Sequence, residues 1–193
     1  YWMCMLHAIG FTDEQIPSLL CHGWWNIKKK SDDGSAGSEK MSKSLGNVVD
    51  PVALVDTFGQ DAVRYYLVRD IHTGRDSDYD LDRLVMLFNT ELANNLGNLC
   101  NRALNMSKRY CGGATMASDY DDETSQQLRS SLDTLLEKYR YHMDRYEISF
   151  ALEALFEFIS ATNVYAEHHK PWEIAKGESK AAQLRTVHSH MVE

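Results

Sequence analysis

Between Leu84 and Met106 the apolar residues return on a helical beat: Leu84, Leu87, Phe88, Leu92, Leu96, Leu99, Ala103 and Met106. Spacings of three and four place them on one face of a single long helix. Asp80 stands where an N-cap belongs, and Cys111-Gly112-Gly113 ends the pattern after Tyr110. A helix with one apolar stripe must bury it, and the chain supplies partners of the same kind. One amphipathic stretch runs from Leu128 to Met143, and another from Ile148 to about His169 carries Leu152, Leu155, Phe156 and Ile159. Pro171 halts that helix, and a last one opens at about Ser179. Residues 80–193 are therefore predicted to form an antiparallel all-α bundle.

The first half reads differently. Trp2, Met3, Met5, Leu6 and Ile9 give a short apolar helical face that Gly10 ends, and Ile16 to Ile27 reads as a buried strand. The run Ser31 to Ser38 is low in complexity and is predicted to be flexible, and His72 to Asp80 is polar and turn-rich. A domain boundary is placed there, giving an α/β unit over 1–79 and the helical unit over 80–193. Tyr1 and Glu193 both fall inside helical patterns, so the chain is expected to be part of a longer protein.

Between strand and bundle lies Lys40-Met41-Ser42-Lys43-Ser44, followed by Leu45-Gly46-Asn47 and closed by Asp50-Pro51. Asp50 can cap a helix and Pro51 can occupy its first turn, running to Phe58 before Gly59; a second helix opens at Gln60. Two lysines three apart on a loop of small residues make a cationic site suited to a polyphosphate. Each ammonium is a point charge on a long stem and can follow charge that shifts during reaction. A bare K-x-x-K also suits a solvated surface loop; the flanking string favours the phosphate reading.

Composition sets limits on partners. The net charge of -8 is unsuited to indiscriminate coating of nucleic acid, yet five lysines face three acids between Trp24 and Val48. Asp119 to Glu123 is an acidic connector. Any polyanion is expected at the first part of the chain or at a few chosen positions later. No apolar run is long enough for a bilayer, the opening residues lack the features of a signal peptide, and a cytoplasmic setting is expected. Cys4, Cys21, Cys100 and Cys111 show no C-x-x-C pairing and are read as free thiols in a structural role; no metal site is expected in this chain. Asp76, Asp78 and Asp80 lack the glycine and distal Glu of a calcium loop and are read as a turn plus helix cap.

Taken together, KMSKSLGNVVDP, the following FGQDAVRYYLVRD and the helical tail resemble a class I aminoacyl-tRNA synthetase. His22-Gly23-Trp24-Trp25 ahead of the loop and the run Leu92 to Arg102 narrow the resemblance to the methionyl-tRNA synthetase family. It implies the C-terminal end of a Rossmann-type catalytic domain followed by an anticodon-binding bundle, and an ATP-dependent ligase that activates methionine and transfers it to tRNA(Met). It implies that Lys43 contacts the ATP phosphates, with Mg2+ accompanying the nucleotide, and that Lys40 assists. Ser42 and Ser44 would shape the loop and Met41 would anchor it by packing. The family's His-Ile-Gly-His motif, methionine pocket and zinc-binding insertion are not in these residues, so the chain alone is expected to be inactive, with zinc confined to the rest of the parent. Asn26 to Glu39 is longer than the family's usual hairpin and is expected to be a flexible excursion, with Lys28 to Lys30 either reaching tRNA or simply solvated.

The family reads its anticodon with an Asn and an Arg one helical turn apart and a Trp after a Pro, matched here by Asn98, Arg102 and Trp172. From spacing alone, an interhelix hydrogen bond for Asn98 and a surface salt bridge for Arg102 are the plainer readings. The shared loop leaves two alternatives: a class I synthetase for cysteine or leucine, or a non-catalytic tRNA-binding module. An intact Lys43 loop speaks against the second.

Overall fold

The computed structural model describes residues 1–30, 36–110, 112–113, 122–174 and 181–192. In chain order the elements are α1 (Trp2–Ala8), β1 (Trp25–Lys30), β2 (Ala36–Lys40), α2 (Pro51–Phe58), α3 (Gln60–Asp70), β3 (Ser77–Tyr79), α4 (Leu81–Leu87), a π-helical segment (Phe88–Gly97), α5 (Asn98–Tyr110), α6 (Glu123–Met143), α7 (Ile148–His169), α8 (Pro171–Ile174) and α9 (Ala181–Val192).

A three-stranded sheet in the order β2-β1-β3 precedes the helices. β1 and β2 form an antiparallel hairpin from Asn26↔Lys40 to Lys30↔Ala36, and β3 joins β1 in parallel through Trp25↔Ser77 and Ile27↔Tyr79. This corrects three expectations. The strand begins at Trp25 rather than Ile16, leaving His22 in the preceding coil; Lys28 to Lys30 are in it; and residues 36–40, read as the end of a flexible run and a loop, are its partner. β3 arises inside the segment read as turn. Pairing with a neighbour decided both cases, since β-propensity is weak where a tertiary partner is available. Residues 31–35 of the expected excursion lie outside the described residues.

α2 and α3 form as predicted. Asp50 accepts from the Val52 N–H at 2.9 Å, Pro51 occupies the first turn, and Gly59 separates the helices with φ 83°. α6 begins five residues before the predicted Leu128 because Asp122 caps it, accepting from the Ser125 N–H at 2.8 Å. The rest of the acidic connector lies outside the described residues, as does Cys111.

The long helix also departs from expectation. It is helical from Leu81 to Tyr110, but turns over Phe88–Gly97 are π-helical. Each π turn takes up an extra residue, so the apolar stripe loses phase. Leu84 and Leu87 are buried in one cluster with Tyr66, whereas Leu99, Ala103 and Met106 enter another with Leu128, Phe156, Ile159 and Ala166. Between them Phe88 is partly exposed, while Leu92 and Leu96 pack partly buried against the second cluster. Tyr65 packs against both clusters, and its hydroxyl bonds Glu91, which also takes Arg69 in a forked ion pair at 3.1 and 3.2 Å. Burial, then the Glu91 contact, pushes the Tyr65 hydroxyl well above the ordinary tyrosine range.

Candidate functional site

The lysine loop grows out of the hairpin. The register Asn26↔Lys40 puts Lys40 at its base, and the chain then folds back through a 3-10 turn over Lys43–Leu45 that ends at Gly46, φ 65°. A left-handed residue closes the turn there, which glycine allows at no steric cost. One side chain ties the loop together. The Asn47 amide accepts from the Ser42 N–H at 2.7 Å and donates to the Lys40 carbonyl at 3.3 Å. The Ser42 and Ser44 hydroxyls bond each other at 2.8 Å, and Met41 is half-buried. Immediately downstream, the Asp50 cap anchors the exit.

The two lysines are held differently. Lys43 is exposed and its ammonium has no hydrogen-bond or ion-pair partner among the described residues. Lys40 lies with Nζ 3.5 Å from the centroid of the Trp24 ring. Lys28, farther along the hairpin, is instead neutralised: its ammonium pairs with Asp80, which raises the lysine and, with the Arg83 N–H, lowers the carboxyl from their ordinary values. The three aspartates around the boundary all serve structure. Asp76 accepts from the Trp24 N–H at 2.8 Å, Asp78 from the Ser38 hydroxyl, and Asp80 from the Arg83 N–H at 3.2 Å as the cap of α4.

A second polar face lies on the bundle. Asn98 opens α5, exposed and with no side-chain partner among the described residues. One turn on, Arg102 pairs with Glu167 of α7 at 2.6 Å and lies with Cζ 6.0 Å from the Trp172 ring centroid. Trp172 follows buried Pro171 in α8 and is itself half-exposed. A shallow pocket joins Arg102 and Trp172 to Asn105, Met106 and Arg109. The structure thus brings Arg102 and Trp172 together, with Asn98 at the preceding turn of the same helix.

Sequence reasoning missed Asn47, Trp24 and Arg109. Arg109 carries a readable signal, since it stands seven residues after Arg102 and so returns to the same helix face. The Asn47 clamp carries none, because loop spacing does not specify which backbone groups a side-chain amide will reach. Among the described residues no three His, Cys, Asp or Glu side chains gather as a metal site, and no helix is long and apolar enough to cross a membrane. Cys4, Cys21 and Cys100 are free thiols, all exposed rather than packed.

A profile of the class I tRNA synthetases (M) matches residues 1–104, which takes in the loop, Asn98 and Arg102. The chain belongs to the methionyl-tRNA synthetase family. It is 38% identical over 187 residues to a methionine–tRNA ligase of Fusobacterium nucleatum, covering 96% of this chain and 28% of that protein. With the methionine–tRNA ligase of Mycobacterium leprae it shares 42% identity over 186 residues, 96% of this chain and 32% of the relative. Among solved structures, the Mycobacterium tuberculosis methionyl-tRNA synthetase in complex with methionyl-adenylate superposes with a TM-score of 0.81 at 36% identity, over 98% of this chain and 35% of that one. The chain therefore spans about a third or less of the methionyl-tRNA synthetases it resembles. Trp172 lies beyond the profile match but within the span shared with these relatives.

Proposed function

We propose that this chain is the segment of a methionine–tRNA ligase that carries the lysine loop and the anticodon-reading helices. The observation carrying this reading is the loop: its backbone is tied by Asn47 while the Lys43 ammonium stays exposed and, among the described residues, unpartnered. In the whole protein, ATP and methionine meet, pyrophosphate leaves, and the methionyl group passes to tRNA(Met). Lys43 stabilises the charge that develops on the departing phosphates, and Lys40 adds a second cation at the loop's base. Mg2+ enters with the nucleotide; no cluster of carboxylates on the loop would hold it independently. Zinc, where the parent has it, belongs to residues outside this chain. The setting is cytoplasmic.

Residues 1–79 end the catalytic domain and residues 80–193 form the anticodon-binding bundle. Asn98 offers an amide and Arg102 a guanidinium to base edges, and the half-exposed face of Trp172 accepts an unstacked base, a contact of roughly 1 to 3 kcal/mol. The methionine pocket is assigned to the rest of the parent, and the chain alone is expected not to activate the amino acid.

The test uses the full-length protein. Lys43→Ala is expected to lower methionine-dependent ATP–pyrophosphate exchange by about a hundredfold or more, the scale seen when one donor to a developing charge is removed. Trp172→Ala is expected to raise the KM for tRNA(Met) and leave exchange unchanged. Exchange that depends on cysteine or leucine, or no exchange by the wild-type protein, would sink the assignment.

A further inference from the structure

The loop's first lysine has a partner that the signature itself does not contain. Trp24 immediately precedes β1 and is 61% exposed, so a face of its ring is open to a neighbouring side chain. Its backbone is fixed on both sides. The Trp24 N–H donates to Asp76 Oδ1 at 2.8 Å, and its carbonyl accepts from the Ser77 N–H at 2.9 Å. Gly23 lies so close to the neighbouring segment that a Cβ there would fall 1.8 Å from the Arg75 carbonyl oxygen. The segment is thus pressed flat against Arg75–Ser77, and the ring stands on a base that cannot swing.

Lys40 comes to this ring because of strand register. Paired with Asn26, it sits beside the start of β1, and its Nζ lies 3.5 Å from the ring centroid. The chemistry of the contact separates it from the other lysine of the hairpin. A carboxylate holds Lys28 and cancels its charge. An aromatic face attracts an ammonium through its quadrupole and leaves the positive charge in place for an anion. Among the described residues Lys40 makes no ion pair.

We infer that Trp24 is a positioning residue for Lys40: its ring holds the ammonium at the base of the loop, oriented and unneutralised, ready for the nucleotide's phosphates. The inference rests on the phosphate reading of the loop. It adds a residue outside the KMSKS string and explains why Gly23 must be glycine at the point where the chain turns toward β1.

The experiment is methionine-dependent ATP–pyrophosphate exchange by the full-length protein carrying Trp24→Leu or Trp24→Phe, each alone and combined with Lys40→Ala. Trp24→Leu is expected to lower kcat/KM for ATP about two- to fivefold, the range of an exposed cation–π contact. The KM for methionine should stay where it is, and Trp24→Phe, which keeps a π face, should retain most of the activity. In the Lys40→Ala background Trp24→Leu should cost nothing further, because the contact is already gone. Additive losses, equal damage from Leu and Phe, or a Lys40→Ala variant with wild-type kinetics would each overturn the inference while leaving Lys43 untouched. If Lys40→Ala and Lys43→Ala both leave exchange intact, the reading of the loop fails with it.

Discussion

His169 closes α7 three residues before Trp172, and its environment sets a pH limit on that end of the bundle. Its Nε2 is 2.7 Å from Thr124 Oγ1 and 3.5 Å from Asp122 Oδ2. Burial pushes its pKa below the ordinary 6.5; the Asp122 carboxylate opposes this, and His168 and His190 add to it. In the interval below 6.5 the unfolded chain therefore binds more protons than the folded one. The histidine's contribution to stability is present above 6.5 and is lost as pH falls through the lowered folded value. His169→Gln keeps a hydrogen-bonding group but does not titrate, so denaturation midpoints measured at pH 7.5 and 5.5 should differ less for the variant than for the wild type. At this scale spacing was enough to place Lys40 and Lys43 on one loop and Asn98 and Arg102 one turn apart on one helix, and the plain reading of Arg102 as a salt-bridge partner is met by Glu167. The sequence was not legible for Asn47 or Trp24, whose roles come from backbone groups and a lysine brought to them by the hairpin.

The π-helical segment is where an element failed to follow its own pattern. Leu84 through Met106 fit a straight α-helix on paper, yet tertiary contacts held the widened turns. Asn163 of α7 donates to the Asn95 carbonyl at 3.1 Å and to its side-chain oxygen at 2.8 Å, while Asn95 donates to Ser160 Oγ at 2.7 Å. A side chain from α7 thus serves a carbonyl of the widened turns. Gly97 ends the segment, and a Cβ there would meet the Leu92 carbonyl oxygen, five residues back, at 3.0 Å. In an ordinary helix Gly→Ala would stabilise by roughly 1 kcal/mol. Here the oxygen belongs to the helix backbone and has little room to give, so crowding wins. Gly97→Ala is expected to lower stability by about 1 kcal/mol, read as a fall in urea midpoint at unchanged slope. On the proposed anticodon role of Asn98, the next residue, the same variant should weaken tRNA binding by the full-length protein more than its stability loss explains. The hairpin was missed for the complementary reason. Three consecutive lysines and a Gly/Ser run look like loop until a partner strand is supplied, and β3 could not be seen without β1.

For the molecule as a whole, Tyr65 joins the cluster beneath the sheet to the bundle core: it packs against Phe156 edge-on with centroids 5.5 Å apart, and its hydroxyl meets Glu91. Ser149 at the start of α7 adds a hydrogen bond to the Arg69 carbonyl at 2.8 Å, and Thr73 bonds the Tyr146 carbonyl. The two clusters are thereby expected to unfold together. Tyr65→Ala should cost about 3 kcal/mol and broaden the single calorimetric transition into two; a variant that keeps one sharp transition would show that the clusters are coupled elsewhere. The all-α character of the second half was legible because helical periodicity is local, whereas this coupling depends mainly on pairs far apart in sequence: Tyr65 with Phe156, Arg69 with Ser149 and Thr73 with Tyr146. The three-strand ladder has a further consequence for how such a chain can diverge. β1 is shared, so Asn26 is in register with Lys40 on one side and Asp78 on the other. A one-residue deletion within β1 would shift the lysine loop and the lead-in to the long helix at the same time. Length added between Lys30 and Ala36 disturbs neither. Lineages are therefore free to lengthen the hairpin at its far end, while its base is closed to insertion and deletion.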